Sequence, residues 1–235
     1  MILGGFQKLT LIDFPGKIAA TVFTSGCSLR CPFCYNSELV LAEKIKEHPK
    51  IPEKEFFDFL MERKGMLEGI CVTGGEPTLQ NDLSDFAERI KKMGFSVKLD
   101  TNGTNPEMIK DLVKEKLIDY VAMDIKAPLG AKVQSYDDVT GTKADLSKIK
   151  ESIDIIKNSG LDYEFRTTVV PVFHKKEDII QIAKEISPSR AYFLQNFRPE
   201  KTLDQELQNI KPYPLEYLLE IQKTIAPFFE ICQVR

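Results

Sequence analysis

Strand-like and helix-like segments alternate along most of the chain, and this order constrains the fold more than any other feature. Short apolar stretches predict strands at residues 69–73, 95–101, 120–125, 163–170 and 191–195. Amphipathic stretches predict helices between them, at residues 83–93, 106–116, 145–158 and 176–186. A repeated strand–helix order predicts a parallel sheet with right-handed crossover connections.

The two ends of the chain add further elements to this pattern. Residues 6–12 and 17–24 alternate around Asp13-Phe14-Pro15-Gly16, which predicts an N-terminal β-hairpin. A helix is predicted at 52–64, a last long helix at 214–225 and a final edge strand at 228–234. Six strand–helix units are fewer than the eight of a complete barrel. We therefore expect an α/β fold, a partial (β/α)6 barrel with an open lateral side, and keep a flat doubly wound sheet as the alternative.

Composition limits the class of protein. The 235 residues carry a formal net charge of −3 and are 43% hydrophobic, so one domain spanning 1–235 is expected. The charge gives no basic surface for nucleic acid or anionic membrane. No apolar run is long enough to span a membrane and no signal peptide is evident, which favours a cytoplasmic protein. Three of the five cysteines are clustered, which fits a reducing compartment better than a disulfide framework.

The clustered cysteines lie in one loop, Cys-Ser-Leu-Arg-Cys-Pro-Phe-Cys, at Cys27, Cys31 and Cys34. Closed structural metal sites normally have four protein ligands, whereas catalytic sites leave a position open. A four-iron cluster takes one ligand per iron, so three thiolates would leave one iron free for a small molecule. The loop therefore predicts a reactive iron–sulfur centre.

Two other uses of these cysteines remain open at this point. A zinc site would need a fourth ligand, and only His48 or His174 could supply a histidine. We interpret both histidines as loop residues, and Cys71 and Cys232 as packing residues. A redox pair formed by the second and third cysteines of the loop would leave the first one unexplained.

Polar residues recur where each predicted core strand ends. Besides the cysteine loop, these strand-end groups are Thr73-Gly74-Gly75-Glu76-Pro77, Asp100-Thr101-Asn102-Gly103, Asp124-Ile125-Lys126, Arg166 in the fifth strand, and residues 195–198. Chemistry in strand–helix folds gathers at the carboxyl ends of the strands. We therefore predict that these six groups share one pocket.

Each strand-end group also has a simpler interpretation. The two glycines could approach a ligand closely, adopt a positive φ or form an ordinary turn. Glu76 could meet a bound ammonium group, whereas Asp100 and Asn102 could be turn and cap residues. Asp124 and Lys126 alternate to one face of a strand, where they could neutralise each other or bind ribose hydroxyls and a carboxylate. Arg166 is likewise either part of a buried ion pair or a carboxylate clamp.

These motifs resemble those of a known superfamily. The spacing Cys27-x3-Cys31-x2-Cys34, with Phe33 before the last cysteine, resembles the signature of the radical S-adenosylmethionine (SAM) enzymes. The Gly-Gly-Glu-Pro segment at 74–77 resembles their second motif, and the Asp-Thr-Asn-Gly segment at 100–103 the third-strand motif of the activating enzymes. The opening segment 4–34 resembles the anaerobic ribonucleoside-triphosphate reductase activating proteins, relatives of the pyruvate formate-lyase activating enzyme. The resemblance covers most of the chain and weakens after about Gln195.

The resemblance implies a partial (β/α)6 barrel that holds a [4Fe–4S] cluster on Cys27, Cys31 and Cys34, with SAM bound at the open iron. It implies contacts to each part of SAM: Gly74, Gly75, Glu76 and Asp100 for the methionine ammonium, Lys126 for the methionine carboxylate, Asp124 for the ribose, and Phe33, Cys34 and Tyr35 for the adenine. Tyr35 replaces the histidine usual after the third cysteine. Arg198 lies roughly where related activases have a ribose-contacting histidine. Asn102 and Arg166 complete the candidate cofactor-binding residues.

The resemblance further implies a function. Reductive cleavage of SAM would give a 5′-deoxyadenosyl radical that abstracts hydrogen from a glycine of a partner, such as anaerobic ribonucleotide reductase. The partners would be that glycyl radical enzyme and a low-potential electron donor such as flavodoxin or ferredoxin. The alternatives are a radical SAM enzyme acting on a small molecule, such as a nucleobase or amino acid precursor, and a non-enzymatic zinc or iron–sulfur binding module.

Overall fold

The computed structural model of the protein describes residues 1–130 and 136–235. One eight-stranded sheet runs through these residues, and its strands are β1 (Leu3–Thr10), β2 (Ala19–Thr24), β3 (Gly69–Gly74), β4 (Ser96–Thr101), β5 (Tyr120–Asp124), β6 (Asp162–Val169), β7 (Ser189–Asn196) and β8 (Phe229–Val234). β1 and β2 pair antiparallel, as the predicted hairpin requires, and every later neighbour pair is parallel.

The strands lie in the sheet in the order of the sequence, from β1 to β8. A doubly wound sheet reverses its strand order at a switch point, and no reversal occurs here, so that alternative is wrong. Right-handed crossovers in a constant direction place the helices on one face of the sheet, and the sheet curls into a barrel. β1 and β8 do not pair with each other, so the barrel is open on one side. The predicted final edge strand is confirmed as β8.

The helices cover the outer face of the sheet. The described helices are α1 (Ser37–Val40), α2 (Ala42–Glu47), α3 (Glu53–Glu62), α4 (Leu83–Lys92), α5 (Pro106–Lys114), α6 (Tyr136–Thr140), α7 (Leu146–Lys157), α8 (Lys176–Ile186) and α9 (Leu215–Ile225). Their apolar faces pack on strands that are buried on both sides, which explains why the strands read as continuous apolar runs. The short helices α1, α2 and α6 were not predicted. None of the α2 residues is buried.

The hairpin differs from its prediction in its bounds. β1 ends at Thr10, and the connection continues to residue 18 because side chains stabilise it. Thr10 Oγ1 accepts hydrogen bonds from the backbone N–H groups of Ile12 and Asp13, and the Asp13 carboxylate accepts one from Thr21 Oγ1 at 2.6 Å. Ile12 is 83% exposed as a result. Among the described helices, none is both long and apolar enough to cross a membrane.

Candidate functional site

The carboxyl ends of β2 to β7 meet around one cavity of about 240 Å³, as predicted. Thirteen of the predicted site residues line it: Cys27, Cys31, Phe33, Cys34, Tyr35, Gly74, Gly75, Glu76, Asp100, Asn102, Asp124, Lys126 and Arg166. Thr101 and Gln195 also line it, as members of the strand-end groups predicted to share the pocket, and Thr168 lines it without having been predicted. The position of Thr168 two residues after Arg166, on the same face of β6, was the signal that could have found it.

The three thiols of the cysteine loop face this cavity from its β2 side. Burial raises the pKa of Cys27 to about 12 and that of Cys31 to about 11, and it also raises the pKa of Cys34. The Lys126 ammonium opposes this rise at Cys31 and Cys34, because a nearby positive charge favours a thiolate. The loop thus places three protonated thiols beside one cation, and a bound metal would displace their protons.

The loop is held in shape by hydrogen bonds to its backbone. Arg30 Nη1 donates to the carbonyls of Cys27 and Leu29 at 2.7 and 2.8 Å. The Cys34 N–H donates to the Cys31 carbonyl, which makes the turn between the last two cysteines. Across the part of the chain that the structure describes, no three His, Cys, Asp or Glu side chains converge as a single metal ion requires. A four-iron cluster does not require that convergence, because each thiolate binds a different iron. The donor set and its common cavity therefore fit such a cluster.

Gly74 and Gly75 are required by backbone packing against the start of the cysteine loop. Gly74 has a φ of +127°, and a Cβ atom there would lie 2.2 Å from the Thr24 nitrogen. A Cβ atom on Gly75 would lie 2.0 Å from the Gly26 carbonyl oxygen. The N–H groups of Gly75 and Glu76 donate to the Thr24 and Gly26 carbonyls at 2.8 and 2.7 Å. Of the open interpretations, the positive φ is present at Gly74, and both glycines closely approach the backbone at the end of β2 and the start of the cysteine loop. A close approach to a ligand stays a prediction.

Glu76 joins the ends of β3 and β4 inside the cavity wall. The side chain is 1% exposed, and burial raises its pKa. Oε1 accepts hydrogen bonds from Thr78 N and Oγ1 and from Thr101 Oγ1, at 3.2, 2.6 and 2.7 Å. Oε2 accepts one, from Asn102 N at 2.6 Å, and therefore keeps acceptor capacity for a further donor.

Asp100, Asp124, Lys126 and Arg166 form one network of ion pairs, and a residue that was not predicted extends it. Arg166 Nη1 lies 3.0 Å from Asp100 Oδ2, and Lys126 Nζ lies 2.9 Å from Asp124 Oδ2. Lys98, 1% exposed, pairs with Asp100 from deeper in the barrel. Its position two residues before Asp100 on β4, and hence on the same face, was the signal that could have found it.

This network sets the ionisation of its members. Burial by itself would raise the pKa of Asp100 and Asp124, but their cationic neighbours hold both pKa values below the usual range. Burial would likewise lower the pKa of Lys126, but Asp124 holds it above its usual range. The carboxylates and the lysine are therefore charged at neutral pH. The ion pairs expected as the simpler interpretation of Asp124, Lys126 and Arg166 are present in the structure, on side chains that are half-buried and still face the cavity.

A second cavity of about 280 Å³ adjoins the first and shares Tyr35, Arg166, Thr168 and Gln195 with it. It lies where the barrel is open, between the hairpin turn and the end of β8, and its other lining residues are Ile12, Asp13, Glu164, Asn196, Arg198 and Arg235. Arg198 thus lines this second cavity and not the first. Its backbone N–H donates to the Tyr35 hydroxyl at 2.8 Å. The expected ribose contact of Arg198 stays a prediction.

Neither histidine lines the cysteine cavity. His48 ends α2 and hydrogen bonds to the Gly4 carbonyl at 2.7 Å. His174 follows β6 as expected for a connection, but it is only 1% exposed. Cys71 is fully buried behind Asp100, with its sulfur 3.6 Å from Asp100 Oδ1, and Cys232 is half-buried in β8.

Comparisons with known proteins agree with this geometry. The Radical SAM superfamily matches residues 21–186, a range that includes the cysteine loop and the ends of β2 to β6. A Methanocaldococcus jannaschii protein, provisionally named as a glycyl-radical enzyme activating enzyme, is 36% identical over 100% of this chain and 95% of its own length. The pyruvate formate-lyase-activating enzyme of Clostridium pasteurianum is 27% identical over 98% of this chain and all of its own length.

A solved structure shows the same fold. Streptococcus suis SuiB bound to the precursor peptide SuiA aligns with a TM-score of 0.70 and 15% sequence identity. The alignment covers 92% of this chain and 48% of SuiB, so the chain spans about half the length of that protein. The matched family, the full-length relatives and the cysteine cavity lead to one conclusion: the chain belongs to the radical SAM superfamily.

Proposed function

We propose that this protein is an activating enzyme that generates a glycyl radical on a partner protein, with anaerobic ribonucleotide reductase as the partner class favoured by the opening segment. Two full-length relatives carry names of activating enzymes, which supports this class of activity. The observation that carries the proposal in the structure is the second cavity. It connects the cysteine cavity to the open side of the barrel, where a loop of a large partner can enter.

The cysteine cavity would hold a [4Fe–4S] cluster and SAM, which the superfamily uses. When bound and reduced, this pair supplies a strongly oxidising carbon radical for hydrogen abstraction. Cys27, Cys31 and Cys34 would hold the cluster, and the Lys126 ammonium would bind the methionine carboxylate. The methionine ammonium would meet the free acceptor capacity of Glu76 Oε2.

The remaining contacts to SAM follow from the same cavity. Asp124 would accept hydrogen bonds from the ribose, and Phe33 and Tyr35 would pack beside the adenine. The Asp100 and Asp124 carboxylates both have their two oxygens bonded to cations, but Asp100 is less exposed than Asp124, so Asp100 would act on the methionine ammonium through its negative charge alone. These contacts would orient the cofactor, and the enclosed cavity would exclude water from the reacting atoms.

The lining of the second cavity supports a polypeptide as the substrate. Its charges balance: the buried Glu164 pairs with Arg235 at 3.1 Å, Arg166 pairs with Asp124 at 2.8 Å, and Asp13 and Arg198 add one charge of each sign. The neutral amide side chains of Gln195 and Asn196 also line it. Such a lining suits peptide groups better than a charged small molecule, because amides both donate and accept hydrogen bonds.

The test is to mix the anaerobically reconstituted protein with a low-potential reductant, SAM and a glycyl radical enzyme from the same organism, with an anaerobic ribonucleotide reductase tried first. We expect an organic radical in the paramagnetic resonance spectrum, formed on the partner. A matched pair of variants assigns the cluster. Cys31→Ala should lose iron and SAM cleavage, whereas Cys71→Ala should keep both.

The three hypotheses give different outcomes. SAM cleavage without a radical on any glycyl radical enzyme would favour a small-molecule substrate. A colourless protein that binds zinc in place of iron would contradict both enzymatic hypotheses. Electron transfer from reduced flavodoxin or ferredoxin, compared in the same assay, would identify the class of electron donor.

A further inference from the structure

Both peptide groups of Lys126 are bonded to side chains that come from other parts of the chain. The Lys126 N–H donates to the Tyr136 hydroxyl at 3.2 Å, and the Lys126 carbonyl lies 2.7 Å from His174 Nε2. The preceding residue, Ile125, is still bonded to β6: its N–H donates to the Arg166 carbonyl, and its carbonyl accepts a hydrogen bond from Thr167 Oγ1. Lys126 is thus the point at which the chain leaves the sheet, and two side chains replace the sheet as its partners.

The protonation state of His174 follows from its neighbours. The Val170 N–H donates to Nδ1 at 3.0 Å, so Nδ1 carries no proton. The proton of the neutral ring is therefore on Nε2, which donates to the Lys126 carbonyl. Burial lowers the pKa of His174, which keeps the ring neutral at physiological pH. The Tyr213 hydroxyl also donates to the His174 carbonyl at 2.9 Å and holds the segment in place.

The same segment contacts the cysteine loop. Phe173, the neighbour of His174, packs against Phe33 with a ring-centroid distance of 6.1 Å. The Lys126 ammonium lies 5.9 Å from the centre of the Phe33 ring, within the range of a cation–π contact. The backbone of Lys126 is therefore fixed relative to the cysteine loop through His174 and Phe173, and its ammonium through Phe33.

We infer that His174 and Tyr136 are positioning residues that clamp the peptide groups of Lys126 and so aim its ammonium at the carboxylate of bound SAM. The inference rests on the proposed function, because it takes Lys126 as the carboxylate contact. A shift of about 1 Å in a bound group is enough to weaken such a contact substantially. Losing one bond of the clamp should therefore weaken SAM binding while leaving the cysteines untouched.

Two substitutions of His174 separate its two hydrogen bonds. Asparagine ends near the position of Nδ1, so His174→Asn can keep the bond from Val170 and loses the bond to Lys126. Glutamine reaches about as far as Nε2, so His174→Gln can keep the donor to Lys126 and loses the local bond. Tyr136→Phe removes the other half of the clamp without touching His174.

The experiment measures SAM affinity by calorimetry on the cluster-loaded, non-reduced protein, with iron content and melting temperature recorded in parallel. We expect about fivefold to tenfold weaker binding for His174→Asn and for Tyr136→Phe, and near-normal binding for His174→Gln. Normal binding by both His174→Asn and Tyr136→Phe, or a loss confined to His174→Gln, would overturn the inference. If the His174 variants fail to fold, the affinity of Tyr136→Phe decides.

Lys126→Met separates this inference from the proposed function. If the methionine variant binds SAM as well as the unaltered protein does, the assignment of Lys126 itself is wrong. If Lys126→Met weakens binding and the clamp variants do not, only the clamp is wrong.

Discussion

Arg166 Nε lies 2.8 Å from Asp124 Oδ1, which joins β5 and β6 at the edge of the sheet where the cofactor would bind. Through Nη1 the same guanidinium reaches Asp100 on β4. One side chain therefore fixes two carboxylates from two different strands. A guanidinium suits this position because its donors form a rigid planar fork.

Replacing this arginine should cost both stability and SAM affinity. Arg166→Met leaves the half-buried Asp124 and Asp100 with fewer cationic partners, and breaking a fully buried ion pair costs about 3 kcal/mol, which is the upper bound for the loss here. The measurement is the free energy of unfolding from urea titration, with SAM binding measured separately. Arg190→Met is the control, because Arg190 and Asp162 form an exposed pair that should contribute about 1 kcal/mol or less. Equal losses of unfolding free energy in the two variants would contradict the role of Arg166 in stabilising the two carboxylates.

Adding one methyl group at Gly75 should displace the cysteine loop. The new Cβ atom of Gly75→Ala would lie 2.0 Å from the Gly26 carbonyl oxygen, so the backbone on one side must move. We expect a lower melting temperature and a lower iron content after reconstitution. Gly5→Ala is the matched control, because no atom lies within 4 Å of a Cβ built there. Full iron loading of Gly75→Ala would show that the loop tolerates the shift.

The buried thiols should make the cluster-free protein less stable in alkali. Their pKa values are raised on folding, to about 12 for Cys27 and about 11 for Cys31, so the unfolded chain loses these protons first. Between about pH 9 and about pH 11 the folded state binds more protons than the unfolded state, and stability falls as pH rises.

Urea titrations at several pH values test this expectation. The double variant Cys27→Ala, Cys31→Ala should show a smaller loss of stability over the same range. A pH dependence identical to that of the unaltered protein would assign the effect to other groups. In the loaded protein the thiols are already deprotonated, so assembly of the cluster should release protons.

A charge at the mouth of the second cavity should affect the partner and not the cofactor. Ile12 is 83% exposed and lines only that cavity, so Ile12→Glu should leave the fold and SAM cleavage unchanged. Radical formation on the partner should fall several-fold, since exposed apolar residues beside a cavity favour protein contacts. Met61→Glu, at a residue that is 61% exposed and lines neither cavity, should change neither readout. Normal radical formation on the partner with Ile12→Glu would show that the partner does not contact Ile12.

Local pattern was sufficient to predict the order of strands and helices and the meeting of their polar ends. Local pattern was less reliable where side-chain hydrogen bonds determine the backbone conformation. In the hairpin, hydrogen bonds of the Thr10 and Asp13 side chains hold the connection between the strands, and β1 ends earlier than predicted. The short helix α6 was missed because five residues give too little periodicity for a pattern to detect. His174 was interpreted as an ordinary loop residue, since nothing local shows that its partner is Lys126, 48 residues away.

The sequence by itself determined the chemistry available to this protein: three thiols in one short loop, glycines that permit close backbone contact, and acidic and basic residues at the strand ends. Only the tertiary structure decided which of these acidic and basic groups form ion pairs with one another. Lys98, Asp100, Arg166, Asp124 and Lys126 form one network, three cations around two carboxylates, because three neighbouring strands bring them within ion-pair distance. Such pairings depend on distances between residues far apart in the chain, and local sequence patterns carry no information about those distances.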